Sequence, residues 1–140
     1  MNKKVMMGAL GVFVWMAVWE AIVNMGLLSE DYMATAQLWR PQAEMKIYIF
    51  YIIYVFVAYF LSTIFSKGYE GKGTAEGVRF GLYVGLLMAV PMAYGTYAVM
   101  PIPYSLALKW FIFGLIEYVV AGVILASVFG KQAMVTRASG

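Results

Sequence analysis

Cysteine and histidine are both absent from this 140-residue chain, and charged residues make up only 12% of it. With neither thiol nor imidazole there is no disulfide, no Cys/His metal site, no axial histidine for haem and no Ser-His or Cys-His nucleophile. A soluble domain carries about 25% charged residues. Half that charge cannot coat a water-facing surface, which argues against a soluble globule, a disordered chain and a nucleic-acid binder. What the chain has instead is apolar length: 64% of its residues are hydrophobic and the mean hydropathy is +0.80. The composition is that of an integral membrane protein.

A membrane-spanning helix needs roughly 20 mostly apolar residues. Four stretches qualify: Val5–Leu28, Ile47–Phe65, Val78–Met100 and Ser105–Phe129. The second carries no ionisable charge and is rich in β-branched and aromatic residues, a composition that favours strand in water. Its length, without polar alternation, favours a spanning helix. A membrane β-barrel would show alternating segments of about 10 residues, and none is present. Lys3 and Lys4 ahead of Val5–Trp19 have the form of a signal-peptide start. No small-x-small cleavage site follows at Trp19-Glu20, however, and apolar residues resume to Leu28. The expectation is a retained anchor helix in a single all-α, four-helix transmembrane domain over residues 1–140.

Basic residues orient such a chain. One side holds seven, Lys3, Lys4, Lys67, Lys72, Arg79, Lys131 and Arg137; the other holds three, Arg40, Lys46 and Lys109. Both termini and the Lys67–Arg79 loop are therefore expected in the cytoplasm, with Trp39 and Trp110 in the opposite interfacial belt. The long outer loop Ser29–Lys46 is expected to hold a short helix, Tyr32–Trp39, N-capped by Asp31 and ending before Pro41. Its Tyr32, Ala36 and Trp39 would share one face, suiting a surface-lying connector or a cover over a site. In the cytoplasmic loop, Gly71-Lys72 is followed by Gly73 rather than Ser or Thr, and a dinucleotide fingerprint fails at Glu76. A glycine-rich hairpin with Thr74 capping the third span is the simpler reading. Pro101 and Pro103 make the last outer loop tight, and Ser105 is positioned to cap the fourth span.

Small residues recur every fourth position in the third span, at Gly77, Gly81, Gly85, Ala89 and Ala93, and again at Gly122, Ala126 and Gly130 in the fourth. In lipid, close backbone approach through such stripes draws helices together. The stripe either fills a contact within the chain or forms a seam between copies. The 11 methionines are spread along the chain and read as packing in lipid.

Glu20 and Glu117 are the ionisable residues deepest inside spans, and such residues usually face the bundle interior. Glu20 is eight residues before Leu28, placing it ~12 Å below the outer end of its helix. Glu117 is seven residues after Trp110, or ~10–11 Å below the same interface. Antiparallel helices thus bring both carboxyls to one level. Tyr54 and Tyr94 approach that level too, and Asn24 lies one turn beyond Glu20. Pro91, just below Tyr94, removes the hydrogen bond to the Leu87 carbonyl and predicts a kink. Glu20, Asn24, Tyr54, Tyr94 and Glu117 form the candidate polar layer. Two close carboxylates in low dielectric favour sharing a proton, which serves proton-coupled movement of a cation or small amphiphile, or a static lock between helices.

The Trp-rich first span (Trp15, Trp19), the outer-loop pair Leu38-Trp39 and the glycine-rich third span together resemble small bacterial four-helix inner-membrane proteins of unknown function. That resemblance implies a multi-pass protein of the bacterial inner membrane and brings no catalytic residues with it. Small multidrug transporters share the four-helix layout and a first-span glutamate, but Glu117 and Pro91 depart from their pattern. The expectation is a small transporter or channel, probing no nucleic acid, using no cofactor or metal, and acting in the lipid bilayer as a homo-oligomer. Its alternative is a non-catalytic accessory subunit packed on a larger membrane complex through the glycine faces. A lipid-acting membrane enzyme is the weakest reading, since only a carboxylate pair could supply chemistry.

Overall fold

A computed structural model describes the backbone of residues 2–139 and the side chains of residues 2–130. Lys131 and Arg137, two of the basic residues in the orientation argument, lie outside the described side chains. The chain forms five α-helices: α1 (Lys3–Ile22), α2 (Ser29–Ala34), α3 (Ile47–Gly68), α4 (Thr74–Val99) and α5 (Tyr104–Ser139). A π-helical turn, Val23–Leu27, joins α1 to α2, and two 3-10 turns, Ala36–Leu38 and Gln42–Glu44, lead into α3. No strand occurs among the described residues. Four segments are long and apolar enough to cross a membrane: Lys3–Leu27, Ile47–Gly68, Thr74–Val99 and Tyr104–Gly130.

The long helices line up in the order α3, α1, α5, α4, with α3 just reaching α5. α4 lies along α5 and has little contact with α1 or α3. Two apolar clusters divide the height of the molecule. Val5, Val12 and Met16 of α1 pack with Ala58, Leu61 and Phe65 of α3 and with Leu125 and Phe129 of α5. At the other end, Val23 and Leu28 pack with Ala93, Leu106 and Trp110, and the outer loop adds Tyr32, Leu38 and Trp39. Ser62 of α3 is fully buried in the first cluster and donates to the Val5 carbonyl, at 2.8 Å. It fits there because Gly8 faces it, and a Cβ on Gly8 would sit 2.6 Å from the Ser62 oxygen.

The α4–α5 contact is built on absent side chains. Gly77, Gly81, Gly85, Ala89 and Ala93 are the buried residues of α4. A Cβ on Gly81 would lie 2.6 Å from the Val119 Cα, and one on Gly77 would lie 2.7 Å from the Ala126 Cβ. Gly122 approaches the Gly77 carbonyl oxygen closely enough that it too has no room for a Cβ. The stripe is therefore consumed within one chain, backbone against backbone, in close van der Waals contact.

Local details differ from the sequence reading. Asp31 does not cap a helix; it sits inside α2, which starts at Ser29 and stops at Ala34. Leu28 takes the cap position without a side-chain bond, and its carbonyl accepts from the Tyr32 amide at 3.0 Å. Thr74 opens α4 without capping it, because Gly73 takes the cap position with φ +80°, a conformation open to glycine. Glu76 secures that loop instead, accepting from the Glu70 and Lys72 amides at 2.8 and 3.0 Å. Ser105 is likewise inside α5; the Leu106 and Ala107 amides donate to the Pro103 carbonyl. Pro91 lies inside an uninterrupted α4 on its exposed side, opposite the stripe that meets α5. It breaks no helix beside the carboxyl groups.

Candidate functional site

Where α1 gives way to the π turn, the bonding register widens: the Leu28 amide donates to the Val23 carbonyl at 2.8 Å, five residues back. Asn24 occupies this turn, and its side chain exploits the loosened backbone. Its Nδ2 donates to the Glu20 main-chain oxygen at 2.9 Å and to Glu20 Oε2 at 2.7 Å. Turns of this kind inside helices are frequent at functional positions. An asparagine that would only compete with a straight helix here fixes the orientation of a carboxyl group.

The network continues in both directions. Tyr32 of α2 donates its hydroxyl to Asn24 Oδ1 at 2.7 Å and accepts from Trp110 Nε1 of α5 at 2.9 Å. On the other side, the Glu117 carboxyl faces Glu20 closely enough for the two to interact. Glu117 is buried on α5, only 5% exposed. Two ionised carboxylates have no hydrogen to share, so a hydrogen bond between them would require one proton. Every donor from Trp110 through Tyr32 and Asn24 points toward Glu20, and a chain polarised in one direction strengthens each of its members.

Two indoles set the level of the pair. Trp15 Nε1 donates to the Glu117 main-chain oxygen at 2.9 Å and Trp19 Nε1 to that of Phe113 at 3.0 Å. The two rings stack, centroids 5.3 Å apart, and Trp19 meets Phe113 edge-on. Trp15 and Trp19 are one helical turn apart on α1, and their acceptors are one turn apart on α5. α1 cannot slide along α5 without losing both bonds, so the carboxyl groups stay in register.

The outer segment covers the network. Lys109 Nζ reaches both Asp31 oxygens, at 2.9 and 3.2 Å. Trp39 donates to Thr35 Oγ1 at 2.8 Å and packs edge-on against Tyr32 and Trp110. Burial pushes the Tyr32 phenol above its ordinary pKa, and the Trp110 N–H bonded to it pulls the other way. The surface-lying connector is thus folded over the end of the bundle.

Of the five residues read from the sequence, the structure joins Glu20 and Asn24 by a hydrogen bond and sets the Glu117 carboxyl against Glu20. Tyr54 stands on α3 near enough to sense both carboxyl charges, but its ring meets Phe50 and Tyr51 and no hydrogen bond ties it to them. Tyr94 is elsewhere. It shares a 3.3 Å hydrogen bond with Tyr104 and packs on Phe111. Depth alone placed it in the layer; its helix, α4, faces α5 rather than α1, so equal depth does not become proximity. Tyr32, expected on the face of a surface-lying connector or cover, and Trp110, expected in the interfacial belt, join the network as well; nothing in local spacing shows a loop folding back onto the helix that precedes it. Among the described residues no group of three or more carboxylates gathers to hold a metal ion. Comparison with family models, curated proteins and solved structures finds no match, so what this site does is argued from its own geometry.

Proposed function

We propose that the chain is a small proton-coupled transporter or channel of a bacterial inner membrane, with both termini cytoplasmic, moving a cation or a small amphiphile. The observation that supports it is the Glu20–Glu117 pair, two carboxyl groups facing each other between α1 and α5, where a shared proton would let them hydrogen-bond. Loss of that proton leaves two negative carboxylates side by side in low dielectric, an unfavourable state that a bound cation relieves. Cation and proton then exclude one another at one place, which is the coupling a proton-driven exchanger requires. The excess of Lys and Arg beside the termini and the α3–α4 loop supports the orientation.

A static lock is the second reading, favoured by the Trp15 and Trp19 bonds that already pin α1 to α5. The accessory-subunit reading loses its glycine faces, which are filled between α4 and α5. Its remaining surface would be the first half of α3, where large side chains from Ile47 to Ile53 are all exposed. Purification in mild detergent separates that reading, since a subunit comes out with larger partners.

Proteoliposomes test the proposal. An imposed pH gradient should drive movement of tetraphenylphosphonium, sodium or potassium, and Glu20→Gln and Glu117→Gln should abolish it while folding normally. Gradient-independent behaviour of the wild type toward all three probes, or Gln variants that transport at the wild-type rate, would overturn it.

A further inference from the structure

The segment that bonds to Asn24, the residue holding the Glu20 carboxyl, is fastened unlike the rest of the molecule. α2 has six residues, far fewer than the ~12–15 that an isolated helix needs for even marginal stability, so its position depends on its side-chain contacts. Its directed contacts are the Asp31–Lys109 ion pair, the Tyr32 hydroxyl between Asn24 and Trp110, and Trp39 laid on Trp110, and Tyr32, Leu38 and Trp39 also pack on the apolar cluster beneath. Its outward side is free, with Met33 69% exposed. On one flank the chain is a π turn whose Gly26 has nothing within 4 Å of a Cβ position. On the other, residues 40–46 are all exposed. A short, directly latched element between a π turn and an exposed connection has the construction of a lid.

We infer that residues 29–39 are a movable lid, latched by Asp31–Lys109 and plugged by Tyr32, that pivots at the Val23–Leu27 turn to open the Glu20 site to water. This rests on the reading of Glu20 and Glu117 as a working site, and it specifies the gate on that site. Lifting α2 withdraws the Tyr32 hydroxyl from Asn24, which frees the Asn24 amide and with it the orientation of Glu20. Opening is thereby linked to the carboxyl pair through one side chain. Trp110 and Leu28, both buried beneath the segment's packing, lose cover in the same movement.

The chain has no cysteine, so a single introduced thiol reports water access without background. Thr35 is 4% exposed on the covered side of the lid, and Ser62 is fully buried at the other end of the bundle. Thr35→Cys and Ser62→Cys would be labelled in detergent with a charged methanethiosulfonate, each alone and combined with Lys109→Met, Asp31→Lys or Tyr32→Phe. The lid predicts labelling of position 35 accelerated several-fold by each change, with position 62 unmoved. Asp31→Lys together with Lys109→Asp should return the rate toward wild type. Hydrogen exchange on the Cys-free protein should show the same changes confined to residues 23–39. Unchanged labelling and exchange, equal acceleration at positions 35 and 62, or no recovery in the charge swap would overturn the lid. The readout involves no transported solute, so failure of transport with an opening lid counts against the proposed function alone.

Discussion

Glu117 and Glu20 illustrate how one buried polar group makes demands on its neighbours. Glu117→Gln keeps a hydrogen-bonding side chain opposite Glu20, so the fold should persist. Glu117→Leu leaves Glu20 facing an apolar partner at a cost of about 1–3 kcal/mol, which thermal unfolding in detergent would register as a clear loss. The sequence made both residues visible, since two acids inside long apolar runs are conspicuous, and the helical rise set them at one depth. The Asn24–Tyr32 link was not visible: it depends on a π turn that redirects the chain, and such a turn has no sequence signature here. Tyr32 carries a prediction of its own. A phenol held above its ordinary pKa contributes stability that is complete below about pH 10 and is lost as pH rises through the raised value. Exchange protection of residues 29–39 should therefore fall in alkali, and Tyr32→Phe should remove that alkaline step while weakening the lid at neutral pH.

At the scale of elements, the α4–α5 seam and the α1–α5 indole bonds hold the molecule by different physics. The seam works by close approach, and any side chain larger than hydrogen at Gly81 meets the α5 backbone. Replacing Gly81 and Gly85 together with Leu should separate α4 from α5 and yield an aggregated or protease-sensitive protein. Gly95→Ala, where a Cβ meets nothing within 4 Å, should leave melting unchanged. Parallel behaviour of the two variants would show the seam to be incidental. The apolar segments were legible to within a few residues because long apolar runs leave little choice, although α5 itself runs on to Ser139. Caps were less so: Thr74, Ser105 and Asp31 have suitable side chains, but a glycine with positive φ, a proline carbonyl and Leu28 hold the cap positions instead.

For the whole molecule, the order α3, α1, α5, α4 decides which of the depth-matched residues meet. α1 and α5 are the inner pair and carry both carboxyl groups, whereas α4 is flanked by α5 alone and takes Tyr94 away with it. Depth follows from sequence by counting; azimuth does not, because apolar residues surround every span and no polar face marks the interior. The proposed orientation predicts that a reporter active only in the periplasm is silent when fused after Gly140, and strong activity there would reverse the topology. The central claim is a single exchangeable proton held between Glu20 and Glu117. Infrared spectroscopy of the protein in lipid follows it most directly, through the carbonyl stretch of a protonated carboxylic acid. The account predicts one such band that shifts in heavy water, titrates reversibly while the amide bands hold, and vanishes in Glu20→Gln combined with Glu117→Gln. A spectrum with no such band, or with one that stays constant at every pH the fold survives, would contradict it.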